Sequence, residues 1–221
     1  VSAGKGLVYV IDMESSLSDA LVRRIIDMDQ YVIYRRWDME VNPVAEVEAY
    51  SKSLRALIIS GSGKNINSKK NKPPTVPPEL FQVEVPVLAV CYGMQYMAFL
   101  NGVNIVRCWD EEDPAKRTKA AAKKDKGEQG PTLLHRTAEP SVLFQGLGNS
   151  FPVWMKHNWM LETLPEGWRH TASTEKCPYA AIERENVFAV QFHPEPFNSL
   201  YGRIILHNFL SYACGLQTPY F

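Results

Sequence analysis

Apolar residues along the chain fall into two alternating patterns, short continuous runs of strand length and longer stretches where they recur every three or four positions. Residues 7–11 (LVYVI) read as a buried strand, residues 17–28 place Leu17, Leu21, Ile25 and Met28 at helical spacing, and residues 31–34 (YVIY) return as a strand. Residues 43–53 predict a second helix, and 54–60 a third strand running straight into Gly61-Ser62-Gly63. Strand, helix and strand in alternation predict a parallel sheet. A small-residue turn at the carboxyl end of such a strand is where parallel sheets place their sites, although this turn taken alone reads as a simple loop.

The densest stretch is residues 85–102, VPVLAVCYGMQYMAFLNG. It predicts a strand over 86–90, then Cys91, then a helix with Met94, Met97, Ala98 and Leu100 on its apolar face, ended by Asn101-Gly102. Residues 79–83 form a short helical turn before it, and 103–107 a strand after it. Beyond lie short strand-like pieces at 132–134 and 141–144, then segments at 168–173 and 179–183 separated by Glu175-Lys176-Cys177-Pro178. Glu185-Asn186 turns the chain into a further apolar strand, VFAVQFHPEP at 187–196. Residues 200–214 close it as an amphipathic helix with Ile204, Ile205, Leu206, Phe209 and Leu210 inward, stopped by Gly215.

Two segments stand outside these patterns. Residues 64–78 (KNINSKKNKPPTVPP) are a basic, proline-rich loop whose lysines read as solvated surface. Residues 110–128 lie in a charged tract with no apolar residue beyond alanine, which cannot bury enough surface to order itself, and they predict a disordered insertion within one domain spanning 7–216. Residues 1–6 read as a flexible tail or tag remnant.

Composition fits a folded domain with a sizeable core, since 45% of the 221 residues are hydrophobic and 22% charged. The 24 basic and 24 acidic residues balance to a formal net charge of +0, so no global attraction draws the chain to nucleic acid or an anionic membrane. No apolar run approaches the ~18 residues of a membrane span, and no signal-peptide layout is present. Four scattered cysteines, Cys91, Cys108, Cys177 and Cys214, lack paired zinc spacing and predict reduced thiols, hence a cytoplasmic protein without a metal site.

Candidate chemistry centres on Cys91. At a strand-to-helix elbow a nucleophile is lifted from the core, Ala89 and Gly93 leave room for backbone to pass closely, and the helix N-terminus favours a thiolate and an oxyanion. Taken alone, a cysteine in an apolar segment is more often a small core residue. The strand ending in His193 and Glu195 changes that balance, because residues i and i+2 of an extended chain point the same way roughly 7 Å apart. A carboxylate beside an imidazole sets its tautomer and supports the imidazolium. The three residues occur in the order and setting of a Cys-His-Glu triad. Cys177, with no base predicted beside it, reads as structural.

These residues resemble the class I (triad) glutamine amidotransferases, and within them the amidotransferase domains of GMP synthetases. The resemblance rests on VCYGMQ around Cys91, VWMKHNW at 153–159, ASTEKCPYAAI at 172–182 and AVQFHPE ending at Glu195, and with weaker matches it covers about residues 7–216. It implies an α/β fold of three layers, a mostly parallel central sheet with helices on both faces around a flavodoxin-like core. It also implies glutamine hydrolysis by Cys91, His193 and Glu195. The family's oxyanion donors map to the backbone of Tyr92 and Ser62, or of Gly61. The resemblance also makes Gln95, Gly63, Gly130 and His157 substrate-binding candidates: Gln95 falls where the family contacts bound glutamine, Gly63 lies in the oxyanion turn, Gly130 ends a Glu128-Gln129-Gly130 piece resembling a pocket-lining turn, and His157 is a pocket candidate. Ser62 and Lys64 stand where the family has glycine and proline, and Asn158 and Trp159 where it has glycine and aspartate. A serine forced to positive φ at 62 would cost about 1 kcal/mol or more.

No phosphate cradle is present, so the resemblance implies that L-glutamine is the substrate here while ATP and Mg belong to a partner, an ATP-pyrophosphatase (synthetase) domain or subunit. No cofactor is expected in this domain. Another Cys-triad hydrolase, acting on gamma-glutamyl compounds or peptides, and a drifted glutamine-binding module stay open as alternatives.

Overall fold

The computed structural model describes residues 5–68, 70, 72–108 and 127–218. β1 (Leu7–Asp12) leads into α1 (Ser18–Asp27), β2 (Tyr31–Arg36), α2 (Pro43–Ala49) and β3 (Leu54–Ile59). A 3-10 turn, Pro78–Phe81, precedes β4 (Val87–Val90), α3 (Tyr92–Leu100) and β5 (Ile105–Arg107). Then come β6 (Glu128–Arg136), β7 (Ser150–His157), β8 (Trp159–Leu161), β9 (Arg169–Ser173), β10 (Ala181–Arg184) and β11 (Val187–Val190), before α4 (Gly202–Asn208) runs into a π-helical segment, Phe209–Ala213.

Nine of these strands form one sheet in the order β2-β1-β3-β4-β11-β10-β9-β6-β7, and β5 pairs antiparallel with β8 in a second, two-stranded sheet. The first five strands are mutually parallel, and the remaining four add on antiparallel. Central parallel strands are buried on both faces, which is why β4 and β11 read as unbroken apolar runs, β1 as one that ends in Asp12, and β3 as one broken by the exposed Arg55. Alternate residues serve opposite layers. Val8, Val10, Ile58 and Val90 pack with Leu21 and Ile25 of α1 and with Ile205 and Leu206 of α4. Tyr9, Ile11, Ile59 and Ala89 pack with Val47 of α2 and Met94 and Met97 of α3 on the other side. The three-layer α/β architecture expected from the sequence is present.

Asp12 ties the carboxyl ends of the first parallel strands together. Its Oδ1 accepts from Ser15 N at 2.9 Å, Ser18 Oγ at 2.6 Å and Ser60 Oγ at 3.3 Å, and its Oδ2 accepts from the Tyr34 hydroxyl at 2.7 Å. Removing a buried acceptor strands several donors at once, so Asp12→Ala is expected to lower stability by about 2 kcal/mol or more in urea unfolding.

Several boundaries differ from the sequence reading. Glu128, placed at the end of the insertion, is the first residue of β6, and residues 110–126 of that insertion lie outside the described residues. Pro131 is tolerated in β6 because only His135 and Arg136 pair with β9, so Pro131 pairs on the β7 side alone. Residues 1–4 of the expected tail also lie outside the description, whereas Lys5 bonds Asp29 and Gly6 N donates to Gln30 Oε1 at 2.7 Å, so these two belong to the fold. The strand expected at 141–144 is a 3-10 turn, Val142–Phe144, capped by the Ser141 side chain. Leu100 and Ile204, both expected inward, are each 39% exposed. α3 needs no single apolar stripe, since every residue from Tyr92 to Ala98 is buried. Among the described residues no helix is long and apolar enough to cross a membrane.

Candidate active site

Cys91 sits between β4 and α3 with φ 51° and ψ −103°, a left-handed conformation that costs a non-glycine residue about 1–3 kcal/mol. The surroundings hold it there. Cys91 N donates to Val190 O at 2.7 Å, and Gln95 N returns to Cys91 O at 3.0 Å to start the helix. Gly93 makes the elbow possible, because a Cβ on it would lie 2.5 Å from Ile59 O and 3.0 Å from Ser60 O. The small residue expected there is required by the close approach of α3 to the end of β3.

His193 and Glu195 follow β11. His193 N donates to Trp154 O at 2.8 Å, pinning the segment against β7, and the His193 ring meets Glu195 through Nδ1 and Oε1 at 2.7 Å. Arg24 of α1 reaches across to donate to Glu195 O at 3.2 Å and Pro196 O at 3.3 Å, which fixes the backbone that carries the carboxylate. Gly202 lets α4 start against Pro194, whose carbonyl oxygen would be 2.0 Å from an added Cβ. The second carboxylate oxygen, Glu195 Oε2, is buried and takes no partner among the described residues, so the imidazole is the carboxylate's hydrogen-bonding outlet.

The electrostatics favour a charged ring. Burial opposes the imidazolium, but Glu195 on one side and Cys91 on the other outweigh it and raise His193 from 6.5 to about 10. A raised folded-state value means that this group stabilises the fold fully below about pH 6.5 and loses that contribution as pH rises through about 10. The denaturation midpoint is therefore expected to fall from pH 6.5 to pH 10, more steeply in the wild-type chain than in Glu195→Gln. Equal slopes in the two proteins would refute the pairing.

The turn after β3 lies over these groups. A Cβ on Gly61 would come 2.9 Å from His193 Cε1 and 3.4 Å from Cys91 Cβ, so this glycine roofs the Cys-His pair. Ser62 is not among the positive-φ residues, and the strain that a serine could have carried there is absent. Its hydroxyl instead accepts from Lys64 N at 3.1 Å. Neither the Ser62 nor the Tyr92 backbone N–H has an acceptor among the described residues, and Tyr92 N is one of the free donors of the α3 N-terminus. Gly63 is exposed, with open space around it.

The other candidates sit farther along the sheet. Gly130 lies in β6 opposite Met155 with φ 89°. Gln95 is buried in α3, its amide nitrogen donating to Trp159 O at 2.7 Å and Gln191 Oε1 at 3.1 Å. His157 is buried too, with Nε2 on Glu128 Oε2 at 2.9 Å and Nδ1 on Trp159 O at 3.0 Å. Glu128 also accepts from Thr174 Oγ1 at 2.6 Å. Glu128, His157 and Cys177 present ligand-type atoms within 4.8 Å of one another. Glu128 and His157 are already hydrogen-bonded within the cluster, and burial together with the Glu128 charge pushes the Cys177 thiol well up, so the set reads as a buried polar network. The sequence reading missed Glu128 and Thr174 as partners of His157, which their separation along the chain conceals. It also gave no role to Gln191, whose signal was a polar residue inside the apolar run VFAVQF.

A cleft of about 450 Å³ opens beside Glu195, lined by Ser16, Asp19, Arg23, Arg24 and Phe197 among others. Cys91, 3% exposed, does not line it.

The model of the family described as glutamine amidotransferase class-I matches residues 9–213. The chain is 33% identical over 215 residues to a GMP synthase [glutamine-hydrolyzing] of Syntrophomonas wolfei, covering 96% of this chain and 38% of that protein. It is 37% identical over 213 residues to the protein of the same name from Parafrankia sp., covering 95% and 35%. The chain thus spans little more than a third of the length of these relatives. A solved structure of a Thermoplasma acidophilum protein, provisionally named as a GMP synthase subunit, superposes with a TM-score of 0.73 at 24% identity, covering 95% of this chain and 94% of that one.

Proposed function

We propose, because the chain belongs to the class I glutamine amidotransferase family, that Cys91, His193 and Glu195 hydrolyse L-glutamine to glutamate and ammonia, which a synthetase partner uses to make GMP from XMP. The observation that carries this reading is a buried His193-Glu195 pair held at 2.7 Å beside a strained Cys91 at a helix N-terminus.

The chemistry follows from that arrangement. The Cys91 proton passes to His193, whose charged form Glu195 supports, and Sγ attacks the side-chain amide carbon of glutamine. The carbonyl oxygen becomes an oxyanion in reach of the free N–H groups of Tyr92 and of the Ser62 turn. Collapse of this intermediate expels ammonia with the proton returned from His193, leaving a glutamyl thioester on Cys91. His193, now neutral, takes a proton from water, the hydroxide equivalent attacks the thioester, and the C–S bond breaks to return the thiolate and release glutamate. These steps draw on side chains and backbone alone, while ATP and Mg serve the acceptor reaction in the partner.

A partner that is an ATP-pyrophosphatase domain or subunit is supported by the chain's spanning 38% and 35% of two relatives named GMP synthase. No disulfide joins Cys91, Cys108, Cys177 or Cys214 to one another, which fits a reducing compartment such as the cytoplasm.

A diazoketone analogue of glutamine tests the reading by alkylating the nucleophile. The expected result is one adduct on the Cys91 peptide, prevented by excess glutamine and absent from Cys91→Ala. Protection by gamma-glutamyl peptides but not by glutamine would transfer the site to a gamma-glutamyl hydrolase, and labelling at another cysteine would overturn the triad.

A further inference from the structure

Gln191, the residue after β11, is wholly buried, and a buried amide is held by its hydrogen-bond partners. Those partners also decide which way it faces. Trp159 O is a backbone carbonyl and can only accept, so the Gln95 side-chain atom 2.7 Å from it is the amide nitrogen. The same nitrogen lies 3.1 Å from the Gln191 side chain, and its second N–H needs an acceptor there. Gln191 must therefore present Oε1 to Gln95, which turns its own Nε2 toward Cys91 Sγ, 3.5 Å away. One backbone carbonyl at the start of β8 thus fixes, through two amides, a hydrogen-bond donor on the nucleophilic sulfur.

The opposite side of the sulfur differs in kind. Lys156 O lies 3.9 Å from Sγ, where it suits a thiol that has a proton to donate. Once the proton has moved to His193, the carbonyl offers the sulfur nothing, whereas the Gln191 N–H is oriented for an anion.

We propose that Gln191 is a catalytic residue, the amide donor that holds and stabilises the Cys91 thiolate. Its N–H strengthens as the S–H proton leaves for His193 and weakens when Sγ bonds to the acyl carbon. It strengthens again when the C–S bond breaks and the electron pair returns to sulfur, so it assists both formation and breakdown of the acyl-enzyme. The thioester part rests on the glutaminase reading; the thiolate part does not.

The test is the alkylation rate of Cys91 by iodoacetamide in the full chain at about pH 7, followed on the Cys91 peptide, beside steady-state glutamine hydrolysis and a thermal melt. Gln191→Leu removes the donor at similar volume, and Gln191→Met serves if the leucine variant does not fold. The expected result is alkylation slowed about tenfold and kcat lowered in proportion, with KM within about twofold and a melt lowered but still cooperative, because the Gln95 N–H loses its acceptor. Unchanged alkylation overturns the proposal, whether kcat is unchanged or falls, since a fall alone would make Gln191 a substrate-side residue. Slowed alkylation in a chain that never turns over glutamine would defeat the glutaminase reading and leave the thiolate donor standing.

Discussion

Cys91→Ala is expected to fold like the wild-type chain and to lose at least ~10³-fold in glutamine hydrolysis, the scale of removing a nucleophile whose partners act as a unit. Both halves of that expectation come from the elbow. Alanine keeps a Cβ at φ 51°, so the backbone strain is neither relieved nor deepened, and the helix-starting bond from Gln95 N to Cys91 O involves no side chain. The sulfur is what His193 is arranged around, since its loss removes one of the two groups that raise the ring to about 10. A melting temperature within a few degrees of wild type, with ammonia release at the no-enzyme level, is the predicted pair of readings. Residual turnover near the wild-type rate would place the nucleophile elsewhere.

The second large effect lies two residues away, and it is structural. Gly93→Ala puts a methyl 2.5 Å from Ile59 O, a backbone atom that cannot swing aside as a flexible side chain could. Either α3 lifts from β3 or the Ser60-Gly61 turn moves, and both carry parts of the site. The expected cost is about 3 kcal/mol or more in urea unfolding, at the upper end for a core substitution that adds one methyl. Cys91 alkylation should slow as well, because Gly61 lies against both Cys91 and His193. A variant with wild-type stability would mean that the elbow tolerates a separation the structure does not have.

The contrast between these two positions tracks what a linear sequence can carry. Cys91, His193 and Glu195 were legible because each sits at the end of a continuous apolar run, and central parallel strands announce themselves by burial on both faces. The antiparallel half was harder. β6 begins Glu-Gln-Gly-Pro and exposes alternate residues, so only residues 132–134 looked like strand, and β7 carries Pro152 at the sheet edge. The polar partnerships escaped for a different reason. Gln95 and Gln191 are 96 positions apart and Glu128 and His157 are 29, and no local periodicity encodes who meets whom across a sheet. Gln95 shows the consequence: its place in the helix was readable, while the engagement of its amide nitrogen by Trp159 O and Gln191 was not. The Ser62 substitution points the other way, since the strain it would carry at positive φ depends on a dihedral that only the fold supplies.

Cys91, His193 and Glu195 are proposed to release ammonia from glutamine on behalf of a synthetase. The most direct measurement is ammonia formed from L-glutamine by this chain mixed with the ATP-pyrophosphatase domain of a GMP synthase, ATP and XMP, beside the same mixture with Cys91→Ala. Glutamine-dependent GMP is expected with the wild-type chain, and with Cys91→Ala GMP only when free ammonium is added. Ammonia release that persists in Cys91→Ala, or none from the wild-type chain with its partner present, would contradict that role.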